Sequence, residues 1–105
     1  MSKHKYSIFY DDEIDSHLKK IDKKYWRLIR DTIEIQLQLE PDVETKNRKP
    51  LSKPPIDNRW EIRFGVNNCF RVFYSINYPE KEVWIHIIAT KINNKLLIGN
   101  EEIEL

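Results

Sequence analysis

"RWEIRFGVNNCFRVFY", residues 59–74, alternates apolar and polar positions, breaks at Gly65-Val66-Asn67-Asn68, and alternates again. Period-two alternation marks a half-buried strand, and Gly and Asn supply the positive φ that a tight turn needs. The stretch is therefore a hairpin. Successive strand residues point to opposite faces, so Trp60, Ile62 and Phe64 share a face with Phe70, Val72 and Tyr74. Arg59, Glu61 and Arg63 share the other with Arg71, Phe73 and Ser75. If Phe64 pairs with Phe70 across the turn, Arg63 lies opposite Arg71.

Like charges facing across a sheet are destabilising, so this pair calls for a carboxylate or an anion. Glu61 and the acidic C-terminal stretch, with Glu101, Glu102 and Glu104, are the internal candidates. Exposed ion pairs add only about 0–1 kcal/mol, whereas a guanidinium fork matches phosphate oxygens with two hydrogen bonds at once. The phosphate reading requires guanidinium charge that stays unquenched until a polynucleotide arrives. Tyr74, an odd number of residues from Arg71, belongs to the core side.

Working outward, "NYPEK" at 77–81 is a second turn, since its proline cannot sit inside a central strand, and residues 82–90 form a third strand. Strict alternation there groups Trp84, His86 and Ile88 against Val83, Ile85 and Ile87. The five-residue joint leaves the register open, and His86 is a candidate for the arginine face. Lys91 and Lys95 follow at the sheet edge, a turn falls at Asn93-Asn94, and residues 96–98 can add a fifth strand. Upstream, "YSIFY" at 6–10 suits a first strand. Ile14, Leu18, Ile21, Tyr25 and Leu28, continued by Ile29, Ile33 and Leu37, recur at helical spacing. Two helices are expected, with Asp11 and Asp12 as caps of the first, a joint at 22–24 and Pro41 as terminator; one bent helix is the alternative, since no Gly or Pro stands at the joint. Tyr25 and Trp26 fall beside the apolar stripe. Residues 40–57 hold four of the five prolines and no period, and read as a long connecting loop.

The expectation is α+β, with an N-terminal strand and helical hairpin packed on a mostly antiparallel four- to five-stranded sheet. At 105 residues, with 40% hydrophobic and 33% charged, the chain suits one domain, 1–105. No run reaches membrane-spanning length, and the N-terminus turns acidic where a signal peptide would be apolar, so a cytoplasmic, membrane-free protein is expected. The single cysteine, Cys69, permits no internal disulfide and reads as a small core or turn residue. Three histidines without ligand spacing suggest neither metal nor cofactor. The net charge is only +1, yet residues 46–63 carry six basic residues, Lys46, Arg48, Lys49, Lys53, Arg59 and Arg63, against Asp57 and Glu61. Such local charge steers anionic ligands even on a near-neutral molecule.

Together, "NRKPL" (47–51), "WEIRFG" (60–65), "FRVFY" (70–74), the strand ending in Lys91, and "IGNEEIEL" resemble the RelE/ParE toxin superfamily of bacterial toxin-antitoxin modules. The specific likeness covers 46–105; residues 1–40 match as a strand followed by a helical hairpin. The resemblance implies a toxin neutralised by a cognate antitoxin in a hetero-oligomer, acting as a ribosome-dependent mRNA endonuclease. The alternatives are a gyrase inhibitor without nuclease chemistry and a degenerate module that only binds antitoxin. Carried over by position, Arg71, Arg63, Lys91 and Lys49 are the catalytic candidates. Lys46, Arg48, Lys53, Arg59, Phe73, His86 and Lys95 are the candidates for binding RNA. Family nucleases also use a tyrosine near the C-terminus, and "GNEEIEL" has none. The implied reaction is attack of a ribose 2′-OH on the adjacent phosphate, in which arginines hold the developing charge. A lysine among other cations, Lys91 or Lys49, or alternatively His86, would move the proton.

Overall fold

A computed structural model describes residues 5–53, 56–99 and 101–103. In chain order the elements are β1 (Ser7–Tyr10), α1 (Ile14–Lys19), α2 (Trp26–Leu39), β2 (Arg48–Pro50), β3 (Arg59–Phe64), β4 (Phe70–Asn77), β5 (Glu82–Ile92), β6 (Lys95–Ile98) and β7 (Glu101–Ile103). The strands form one mostly antiparallel sheet in the order β2-β3-β4-β5-β6-β7, and β1 runs parallel to β5. Along its edge away from β4, β5 pairs first with β1, at Glu82–Ile85, and then with β6, at Ala89–Ile92. Between these partners the Ile88 N–H donates to His17 Nδ1 of α1 at 3.3 Å. A helix side chain thus satisfies a sheet donor that neither strand reaches.

The hairpin has the expected register, with Phe64 paired to Phe70 and Arg63 to Arg71. Its turn uses positive φ at Gly65 (85°), Asn67 (55°) and Asn68 (53°). Gly65 is required twice over, because a Cβ there would sit 2.6 Å from Phe70 Cδ2. Both helices pack on one face. Ile14 of α1 and Ile29, Ile33 and Leu37 of α2 are buried with Trp60, Ile62, Val72, Tyr74, Ile85 and Ile88. Burying each such aliphatic side chain contributes about 1.5–3 kcal/mol. Tyr74 is fully buried and its hydroxyl donates to the Pro41 carbonyl at 2.6 Å, tying the chain after α2 to the middle of β4.

The helical joint falls where the polar stretch placed it. A 3₁₀ turn at Lys23–Tyr25 separates α1 from α2, and the Asp22 side chain accepts from the Lys24 N–H. Trp26 closes the joint, since its indole N–H donates to the carbonyls of Leu18 (3.0 Å) and Ile21 (2.8 Å) at and just past the end of α1. Pro41 follows the Glu40 C-cap of α2. No helix among the described residues is long and apolar enough to cross a membrane.

Three expectations need correction. Neither Asp11 nor Asp12 occupies the N-cap position of α1; Glu13 does, without a side-chain bond, and the Asp11 backbone carbonyl accepts from the Ile14 N–H. The supposed loop 40–57 contains the edge strand β2, which tolerates Pro50 because an edge needs no donor on its outer side. With β7 also present, seven strands among the described residues replace the four or five expected.

Gly65→Ala is expected to lower unfolding free energy by about 1–3 kcal/mol, because the new methyl meets the Phe70 ring in a left-handed backbone conformation. Urea unfolding checks this. His17 carries a pH dependence. Burial holds its pKa below the ordinary 6.5, outweighing the opposing pull of Glu13, and its Nδ1 must stay unprotonated to accept from Ile88. Below pH 6.5 the unfolded chain therefore takes up a proton that the folded chain refuses. Stability should fall as pH drops through and below that value, and His17→Gln should flatten the drop in urea midpoints measured across it.

Candidate functional site: the uncovered face of the sheet

The face away from the helices carries the chemistry. Cross-strand register arranges its side chains in rows. Lys49, Glu61, Phe73 and Ile87 form one row across β2, β3, β4 and β5. Arg63, Arg71 and Ala89 form the next, toward the Gly65 turn, while Arg59, Ser75, Trp84 and Phe9 form the one on the opposite side. Lys91 lies two residues beyond Ala89, and its backbone N–H is held by the Cys69 carbonyl at 2.7 Å.

Glu61 sits between the two arginines. Arg63 Nη2 donates to its Oε1 at 3.2 Å, and Arg71 Nη1 approaches its Oε2 at 3.8 Å. One carboxylate therefore serves two guanidinium groups, which leaves the trio with a net charge of +1. The expected unquenched pair is corrected to a half-quenched one, with Glu61 as its counter-ion among the described residues; Glu102 pairs with Lys95 instead, and Glu104 lies outside the described residues. The two contacts differ in kind, however. Arg71 is 91% buried by its side-chain exposure of 9%, yet 3.8 Å is outside hydrogen-bond reach, and its Nε is buried without a partner. A buried cation with an incomplete donor inventory is costly, because leaving a charged donor unsatisfied forfeits about 1–3 kcal/mol or more. Arg63 Nε is similarly orphaned, on a side chain that is 31% exposed.

The other expected binding residues divide. Arg59, Lys46 and Lys49 are exposed, and Phe73 is half-buried between Glu61 and Ile87. Lys53 pairs with Glu44 at 3.1 Å and Lys95 with Glu102 at 3.7 Å, both on the surface, where such pairs hold weakly. Arg48 is a correction. It points to the helix side, 5% exposed, donating to the Val43 carbonyl (3.0 Å) and Gln36 Oε1 (2.9 Å), so it anchors the chain after α2 and cannot meet a ligand on the open face.

His86 does reach the open face, with the same parity as Trp84. The register of β4 against β5 shifts between Phe73↔Ile87 and Tyr74↔Ile85, which makes His86 the extra residue of a β-bulge. Beyond the bulge the parity inverts, so Ile88 turns into the core and Ile87 outward, the reverse of the expected grouping. His86 contacts neither arginine. Its Nε2 lies 2.7 Å from Ser75 Oγ and its Nδ1 2.7 Å from Asp11 Oδ2. Beside it, Phe9 and Trp84 stack with ring centroids 4.9 Å apart. Neither Tyr74 nor Tyr78 replaces the absent C-terminal tyrosine on this face: Tyr74 is buried on the helix side, where burial raises its pKa, and Tyr78 stands at the second turn, its pKa raised by burial to about 12.

No protein-family model matches the chain, and no curated protein matches it significantly.

Removing the negative charge at the centre tests the electrostatics of the trio. Glu61→Gln should raise retention on a heparin column while lowering unfolding free energy by about 1–3 kcal/mol, since Arg71 then keeps no counter-charge. Unchanged retention and unchanged stability would show that the trio is not coupled.

Proposed function

We propose that this chain is a toxin of the RelE/ParE type, cytoplasmic, acting as a metal-independent endonuclease on ribosome-bound mRNA and silenced by a cognate antitoxin in a hetero-oligomer. The observation that carries the proposal is Arg71, a nine-tenths buried guanidinium on an uncovered sheet face with no acceptor at hydrogen-bond distance among the described residues. A phosphate oxygen, with several lone pairs and its own charge, completes that inventory better than the distant Glu61 carboxylate. The order strand, helical hairpin, antiparallel strands and the β1–β5 parallel pair are compatible with the fold that the resemblance implies.

In this reading Arg71 holds the non-bridging oxygens of the scissile phosphate, and Arg63 shares that charge from the neighbouring strand. Lys49 and Lys91 flank the pair by register and are the proton-transfer candidates. Exposed Arg59 and Lys46 hold the chain on either side. His86 leaves the catalytic set, because its two nitrogens are engaged by Ser75 and Asp11. Antitoxin would inhibit by setting its own carboxylates over Arg71.

One observation favours the second reading, a gyrase-blocking binder that performs no chemistry. Glu61 lies against both Arg63 and Arg71, Glu44 pairs with Lys53 and Glu102 with Lys95, so the face is less cationic than composition suggests.

Charge reversal at Arg71 would set two carboxylates together in a buried site, so the informative variant is Arg71→Gln, which keeps size and polarity. Growth arrest on induction should disappear and mapped mRNA ends should revert to background, with the circular dichroism spectrum unchanged. Full growth arrest in that variant would overturn the proposal. Induced DNA breaks with intact messages in the unaltered protein would move the assignment to gyrase inhibition.

A further inference from the structure

Away from Arg71, the open face holds a second constellation, which the RNA-cleavage reading does not use. Asp11, His86 and Ser75 come from three different strands or their ends and meet in one hydrogen-bonded chain. Asp11 is fixed just beyond β1 by its backbone N–H, which donates to the Ile85 carbonyl at 2.9 Å, immediately before the bulge. His86, the bulge residue next along β5, meets its side chain. The Asp11 carboxylate can only accept, so His86 Nδ1 must be the donor in the 2.7 Å contact. In a neutral imidazole that leaves Nε2 as the acceptor, and Ser75 donates its hydroxyl proton across 2.7 Å. Nucleophile, base and orienting carboxylate therefore stand in the order that activates a serine.

Around Ser75 the same face supplies the remaining parts. Arg59 is its in-register neighbour on β3 and is exposed, so a cationic donor is within side-chain reach of an oxyanion formed at that hydroxyl. Trp84 is its in-register neighbour on β5, and with Phe9 it makes a flat aromatic shelf. Asp11 and His86 are 29% and 30% exposed, so the chain lies open to a small ligand without being dissolved in solvent.

We infer that Asp11, His86 and Ser75 form a nucleophilic serine centre acting on small aryl esters, separate from the Arg71 site. Ser75 lies four residues from Arg71 along β4, about 13 Å at the rise of an extended strand, so one reacting group cannot engage both. In the acyl-transfer step Ser75 Oγ bonds to the carbonyl carbon while its proton passes to His86 Nε2, and the carbonyl electron pair becomes an oxyanion facing Arg59. Collapse of that adduct breaks the bond to the aryl oxygen, which leaves with the proton from Nε2. Water then attacks the acyl-serine through the same base, releasing the acid and restoring the hydroxyl. The aryl ring rests on the Trp84–Phe9 shelf.

The test is p-nitrophenyl acetate on the purified full chain, reading p-nitrophenolate release and peptide mass. The expected result is a burst approaching one equivalent, with acetyl on Ser75. Acetylation there should be at least on the order of 100-fold faster than in the same chain unfolded in urea, and His86→Gln should lose on the order of 100-fold or more. Ser75→Ala should show no burst. The inference is overturned if Ser75 carries no acetyl group, if the urea-unfolded chain labels it as fast, or if folded His86→Gln retains the full rate. Comparison of native and unfolded chain decides the matter even where the His86 variant fails to fold.

Discussion

The pairing of β3 with β4 sets Arg63 against Arg71 and brings the Glu61 carboxylate between them. Two cations facing each other on adjacent strands would repel if nothing lay between them. Glu61 removes the repulsion without satisfying both partners. Arg63 donates a hydrogen bond to it and Arg71 has only a Coulombic neighbour at 3.8 Å, and that asymmetry leaves the buried Arg71 Nε–H without an acceptor. The hairpin turn, with Gly65 pressed against Phe70, fixes the register on which this depends. A slip of one residue between the strands would turn one of the two arginines toward the core.

The second organising feature is the bulge at His86. It lets one strand bury Val83 and Ile85 before it and Ile88 after it, although these positions break strict alternation. The imidazole of that extra residue lies on the open face, as Trp84 does, where Ser75 and Asp11 fix both of its nitrogens. The open face thus holds two polar centres separated along β4, a cationic one near the Gly65 turn and a hydrogen-bonded relay toward β1.

What the sequence disclosed follows from regularity. β3 and β4 alternate without interruption, so their faces, their register and the Arg63–Arg71 opposition were legible from residue order alone. β5 misled beyond His86, because a bulge shifts parity without any Gly or Pro to announce it. β2 was hidden by its three-residue length, and Arg48 looked like surface charge because nothing local announces the Gln36 and Val43 acceptors that draw it inward. Asp11 read as a helix cap by its position before α1. Its partner lies 75 residues away, a distance over which only the parallel pairing of β1 with β5 could have suggested the contact.

The central claim is that Arg71 is an anion site, and its own side-chain N–H reports on that most directly. An NMR titration of the 15N-labelled protein with a 2′-deoxy oligonucleotide, which cannot be cleaved, would follow the Arg71 Nε–H resonance. Saturable movement of that resonance, together with Arg63 Nε–H and weakened by added salt, is the predicted result. A resonance that stays in place while oligonucleotide binds elsewhere on the protein would contradict the account.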